Sequence, residues 1–141
     1  MTYECKVTHR ADGSVECEEF FKEGKLHREG DRPASIYYRP GATGRWTFRE
    51  SFYKEEQLHR EGDRPAVVEY RADGSVKWEL FYKKGKLHRE GDRPAMVEYR
   101  ADGSVHWEEF YKEGELFTPS NHTPSKTVEI DGVKYVLTLV G

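Results

Sequence analysis

Apolar and polar residues alternate along most of this chain. Between residues 67 and 83, Val68 and Tyr70 fall on one side of a period of two, and Val76, Trp78, Leu80 and Tyr82 fall on one side of the next. Such alternation marks strands with one face turned from water. Between the two runs, Arg71-Ala72-Asp73-Gly74-Ser75 supplies a tight hairpin turn in which glycine takes a positive φ. A second glycine turn follows at Lys83-Lys84-Gly85-Lys86. No segment carries the 3.6-residue period of an amphipathic helix.

The pattern recurs. Leu-His-Arg-Glu-Gly-Asp-Arg-Pro-Ala begins at Leu26, Leu58 and Leu87, at offsets of 32 and 29 residues. This divides residues 1–117 into a half copy (2–25) and three copies (26–57, 58–86 and 87–115). The fourth signature decays to Leu116-Phe117-Thr118-Pro119. A linker over 118–126 and a C-terminal hairpin over 127–141, turning at Asp131-Gly132, complete the domain organisation. The first full copy departs most: Arg39-Pro40-Gly41-Ala42-Thr43-Gly44 replaces the Arg-Ala-Asp-Gly turn. Its Trp46, Phe48 and Phe52 also alternate in the opposite phase, which a bulge would restore.

Units that stack by translation must reverse direction an even number of times. The Asp-Gly and Lys-Gly turns already make two reversals, so Glu-Gly-Asp-Arg-Pro reads as a bulge or jog within one long strand. Pro65 supports this, because proline cannot donate to a central ladder. The expected fold is all-β: a tandem-repeat antiparallel meander of eight to ten strands, a single-layer twisted ribbon closed by a capping hairpin.

Composition supports strands over disorder. Charged residues make up 35% of the chain and mean hydropathy is −0.93, which alone would favour an unfolded chain. Against that stand 9 Tyr, 7 Phe and 3 Trp with only 7 Leu and 2 Ile, a balance suited to half-buried pleated surfaces. The net charge of −3 leaves no basic footprint for nucleic acid or an anionic membrane. No apolar run is long enough to span a bilayer, and Met1-Thr2-Tyr3-Glu4-Cys5 has no signal-peptide character. A cytoplasmic location is the expectation. Asn121-His122-Thr123 therefore carries no weight as a glycosylation sequon. Cys5 and Cys17 flank the first Asp-Gly turn. A two-residue loop sets Cys17 opposite Thr8 and a three-residue loop sets it opposite Val7; either is too far from Cys5 for a bridge, so two free thiols are expected.

The unit resembles a MORN-like repeat found in bacterial, phage and giant-virus proteins. The resemblance rests on Gly24-Lys25-Leu26-His27-Arg28-Glu29-Gly30-Asp31-Arg32-Pro33-Ala34 and on the equivalent run from Gly85 to Ala95, and it covers residues 2–117. It implies a scaffold for protein or lipid contact, and the phage relatives imply a role against host defence, in the host cytoplasm. The longer period and the Asp-Arg insertion depart from the usual MORN unit, so lipid binding is not carried over.

Two chemistries compete for the polar residues. His27 with Glu29, His59 with Glu61, and His88 with Glu90 could hold a divalent metal and serve an enzyme. Yet a catalytic site needs one asymmetric cluster in a pocket, not three equal copies. The preferred expectation is that the charges pair with one another and with the next copy and so fix register. No cofactor is expected. Trp78 and Trp107 are equivalent positions, read as a row with Tyr70 and Tyr99. With Trp46, Phe48, Arg39 and Arg45 from the irregular copy, they form the expected contact surface for a partner protein. The function expected is a non-enzymatic binding module, an inhibitor or adaptor, with self-assembly through the C-terminal hairpin or the edge strands as a further alternative.

Overall fold

A computed structural model describes residues 1–41, 46–120 and 125–138, with backbone alone at 125–127, 134 and 136–138. Arg45 and the Asn121-His122-Thr123 sequon lie outside the described residues. The first copy opens with β1 (Tyr3–His9), β2 (Val15–Lys22) and β3 (Lys25–Leu26). Next come β4 (Ser35–Tyr38), β5 (Thr47–Ser51), β6 (Tyr53–Lys54) and β7 (Gln57–Leu58). They are followed by β8 (Val67–Tyr70), β9 (Val76–Leu80), β10 (Tyr82–Lys83) and β11 (Lys86–Leu87). β12 (Met96–Tyr99), β13 (Val105–Glu109), β14 (Tyr111–Lys112) and β15 (Glu115–Leu116) precede the C-terminal β16 (Ser125–Ile130) and β17 (Val133–Thr138). There is no helix among the described residues. The fold is all-β, and its main sheet is an antiparallel meander in the order β1-β2-β4-β5-β8-β9-β12-β13. β16 and β17 pair as a C-terminal hairpin, and β16 begins at Ser125, two residues inside the expected linker.

The β1–β2, β8–β9 and β12–β13 hairpins close on Asp-Gly turns. Asp73 Oδ1 accepts the Ser75 backbone N–H at 2.9 Å and its hydroxyl at 2.6 Å, and Gly74 sits at φ 85. This is the side-chain mimicry that suits Asp and Gly to turns. Behind the turn the register slips, with Glu69 opposite Trp78 but Tyr70 opposite Val76. The irregular copy slips at the same place, with Tyr37 opposite Arg49 and Tyr38 opposite Thr47. The bulge expected for that copy is present, but it is common to all four hairpins. Arg49 thereby occupies the place that Trp78 holds in the next copy.

The signature is a jog on a larger scale than a bulge. Phe81 donates its N–H to Ala95 at 2.8 Å and accepts from His88 N–H at 2.9 Å. One residue thus closes both ends of an excursion, and residues 89–94 bow out between them. Phe52 does the same with Ala66 and His59, and Phe20 with Ala34 and His27. β9 continues into β10, and β11 returns into β12, so two reversals suffice per copy.

Burial follows from this pairing. Phe52, Phe81 and Phe110 are buried, and Ala34, Ala66 and Ala95 have no exposed surface at all. Large and small residues alternate across the strands here, as close packing requires. The densest packing therefore lies at the excursions. Cys5 is exposed, Cys17 is buried opposite Thr8, and both thiols are free.

The short Lys-Gly hairpins need two left-handed residues. Lys84 (φ 50) precedes Gly85 (φ 79), whereas Glu55 (φ 50) precedes Glu56 (φ 66). A side chain held left-handed costs roughly 1–2 kcal/mol, partly offset by about 0.4–1 kcal/mol of unfolded-chain entropy when glycine replaces it. E56G should therefore stabilise the fold by about 0.5–1 kcal/mol in urea denaturation. Phe81→Ala removes a buried ring and should lower unfolding free energy by about 3–5 kcal/mol. Trp46→Ser, at a side chain 52% exposed, should shift it by less than about 0.5 kcal/mol.

Candidate functional site

The signature loops hold the densest polar chemistry. Arg60 lies over the Phe52 ring at 3.8 Å and donates Nη1 to the Pro65 carbonyl at 3.1 Å. Its Nε and Nη2 then grip both oxygens of Asp31, from the preceding loop, at 2.7 and 2.9 Å. Arg64, held by the Glu61 carbonyl at 3.0 Å, adds a third bond to Asp31. Arg89 and Arg93 hold Asp63 in the same way, with Arg89 over Phe81 at 3.8 Å. Planar forks suit carboxylates, and each fork is already immobilised by its ring.

Glu and His stay closer to home. Lys54 meets Glu61 at 3.1 Å, and Lys83 meets Glu90 at 2.9 Å. The histidines do not bond backbone carbonyls; they accept. Nδ1 of His27, His59 and His88 takes the backbone N–H of Glu55, Lys84 and Glu113 at 3.3, 3.1 and 3.0 Å. That bond places the ring proton on Nε2. Nε2 of His59 and of His88 comes within 3.1 Å of its own loop's glutamate, but without hydrogen-bond alignment. Gly30 (φ 74) turns Asp31 away from His27 and Glu29 and toward the next copy. Among the described residues, no three His, Cys, Asp or Glu side chains converge as a metal site would need. The loops enclose two clefts, of ≈ 280 Å³ between the first and second and ≈ 220 Å³ between the second and third.

The aromatic residues divide between two faces. Residues directly opposite in neighbouring strands share a face. Thr8, Cys17, Tyr37, Arg49, Glu69, Trp78, Glu98 and Trp107 are successive partners across the sheet. The adjoining row, on the other face, runs Val7, Glu18, Ile36, Glu50, Val68, Glu79, Val97 and Glu108. Tyr70 and Tyr99 belong with this second row, where their hydroxyls donate to Glu50 at 2.9 Å and Glu79 at 2.6 Å. Burial, and then these carboxylates, push both phenols up to about 12. The expected joint row of Trp78, Trp107, Tyr70 and Tyr99 is therefore corrected. The tryptophans are on one face with Glu98 between them, and the tyrosines are on the other.

The remaining candidates lie apart. Trp46 stands over a shallow cleft lined by Glu50, Tyr70 and Arg71. Arg39 lies 5.0 Å over the Phe48 ring and donates to the Tyr70 carbonyl in the next hairpin. Arg10 and Arg71 make the same bond to Tyr38 and Tyr99, so Arg39 ties hairpins together. Tyr37 and Arg49 were missed. Both flank the irregular turn, and only the bulge position could have placed them in the tryptophan row. Comparison with protein-family profiles, curated proteins and solved structures returns no match.

Arg60 holds the Asp31 carboxyl below its ordinary value of 3.8, and Arg89 does the same for Asp63. A carboxyl depressed in the folded state adds stability above its unfolded pKa and loses it as the pH falls through the folded one. Unfolding free energy should therefore decline as the pH drops below about 4. The D31N/D63N variant should show a shallower decline in urea titrations across that range. The remaining slope belongs to other depressed carboxyls, Asp12, Asp73, Glu29, Glu61 and Glu90. An unchanged slope would remove the clamps from the acid response.

Proposed function

We propose that the chain is a MORN-like tandem-repeat β-ribbon that works by binding another protein, as an inhibitor or adaptor. The contact surface is the face that carries Tyr37, Arg49, Trp78 and Trp107. One observation carries this reading: Asp31 and Asp63, with Arg60, Arg64, Arg89 and Arg93, are committed to neighbouring copies, whereas Tyr37 and Trp107 are each 39% exposed on one row. Tyr, Trp and Arg are the residue types that dominate binding energy at protein interfaces. Arg49 sets a cationic side chain directly opposite Tyr37 in the same row. The irregular segment around Trp46 and the C-terminal hairpin supply contacts outside this row.

A second reading has its own support. β1 and β13 are each paired along one edge only among the described residues, and open edges recruit further strands. On that reading the chain forms a dimer or an assembly, and light scattering should show mass rising with concentration.

The protein-binding reading is tested by affinity capture from cells of its native setting. The W78A/W107A variant should lose the specific partner that the wild-type chain retains, while its β-sheet circular dichroism and urea midpoint show that it remains folded. Y37A, at a side chain already 39% exposed, should weaken capture with little effect on stability. Retention of the same partner by both folded variants would exclude this face.

A further inference from the structure

The two carboxylate clamps reveal a third of the same build. Arg28 lies over the Phe20 ring at 3.6 Å and donates Nη1 to the Pro33 carbonyl at 3.2 Å. Arg32 donates Nε to the Glu29 carbonyl at 3.0 Å. These are the anchors that position Arg60 and Arg64, and Arg89 and Arg93, with nearly the same lengths. The atoms that remain on Arg28, Nε and Nη2, correspond to those that grip Asp31 and Asp63. Among the described residues they meet no carboxylate.

The chain path accounts for this difference. In the other copies a loop carrying Asp31 or Asp63 stands in front of the arginine pair. Ahead of Arg28, β1 runs straight: the Thr2 carbonyl accepts Glu23 N–H at 2.9 Å, as the Leu26 carbonyl accepts Glu56 N–H at 3.0 Å in the next copy. Where Leu26 is followed by a loop that returns at Ala34, Thr2 leads to Cys5 through Tyr3 and Glu4 alone. Glu4, the acid on that path, is opposite Phe21, whereas Arg28 lies over Phe20, which is opposite Cys5; strand alternation turns Glu4 to the other face. Nearby Glu29 is engaged by Lys22 at 2.5 Å and by His27 at 3.5 Å. Burial and the like charge of Arg32 both depress the Arg28 pKa, so an anion placed between the two arginines would relieve both.

We propose that Arg28 and Arg32 form a binding site for the carboxylate of an acidic side chain presented on a loop of a partner protein, gripped as Arg60 and Arg64 grip Asp31. The preference for a carboxylate follows from the two occupied clamps, in which a planar two-oxygen group fits one fork and takes a further bond from the second arginine. The site lies in a signature loop, away from the tryptophan row, and does not depend on that row binding anything.

The experiment is an NMR titration of the full chain, reading the guanidinium Nε–H resonances. The probe is the blocked octapeptide His-Arg-Glu-Gly-Asp-Arg-Pro-Ala, identical to residues 27–34. Saturable shifts at Arg28 and Arg32, with Arg60 and Arg89 unmoved, are expected. Replacing the peptide's Asp by Asn should weaken binding at least fivefold, and so should R32A in the protein. Arg32 is exposed, so that variant should fold. The wild-type chain with the two peptides carries the test even if it does not. Equal binding of the Asp and Asn peptides, or no saturation with either, would overturn the proposal. Saturation of the same resonances by inorganic phosphate where the Asp peptide fails would also overturn it, in favour of a phosphate site.

Discussion

Arg60 stacked on Phe52 and gripping Asp31 is the contact that the remaining geometry leans on. An excursion of several residues from a strand is costly, because it gives up ladder bonds and orders a polar loop. The ring removes the guanidinium plane from water on one side, the Pro65 carbonyl fixes its rotation, and Asp31 completes its bonding. The first two loops thereby become rigid parts whose acids, Asp31 and Asp63, dock into the following loop. Exposed ion pairs add little individually, but these pairs are bidentate and built on a side chain already fixed by packing. Their effect is on register as much as on stability. Asp31 reaches Arg60 and Arg64 together only if adjacent copies are aligned to the residue.

A second set of bonds works at the far end of the same strands. Arg10, Arg39 and Arg71 each donate across to a tyrosine carbonyl of the next hairpin. The sheet is thus pinned near its turns and again at its excursions, with the row containing Trp78 between. The loop arginines also settle which face is covered. By strand alternation Phe81 points with Glu79 and away from Leu80 and Trp78, so the arginine over it closes the face opposite the tryptophans. The tryptophan face is itself covered toward the excursions, where Ser35, Ser51 and Val67 are buried, and is open at Tyr37 and Trp107.

Much of this was legible in the residues. The strands, both turn types and the free thiols follow from alternation and from the Asp-Gly and Lys-Gly positions, and of the two registers left open for Cys17 the chain takes the one opposite Thr8. The jog at the signature followed from the even number of reversals. Two things were not legible. Period-two reasoning assumes an uninterrupted strand, and the bulge between Glu69 and Tyr70 breaks that assumption without any glycine or proline to mark it. Tyr70 and Trp78 were therefore assigned to one row, although they point to opposite faces. The partner of Asp31 was equally hidden. Within the motif, the nearest basic residues are Arg28 and Arg32, but the loop turns at Gly30 and delivers the acid to Arg60 and Arg64, about thirty residues further on.

The same constraint sets the spacing of the exposed row. Trp78 and Trp107 are separated by the strand that carries Glu98, so their backbones stand two strand spacings apart, roughly 9.6 Å. Arg49 stands two strands away on the other side of Trp78, beyond Glu69, and Tyr37 is next to Arg49. Arg49, Trp78 and Trp107 cannot collapse on one another, because Glu69 and Glu98 occupy the gaps between them. The excursion clamps and the turn arginines stop the strands from slipping to close those gaps. On the proposed binding role, a row that holds its aromatic and cationic groups at fixed separations avoids much of the ordering cost that binding otherwise incurs. The rigidity of this face comes from the charged loops at the other end of the strands.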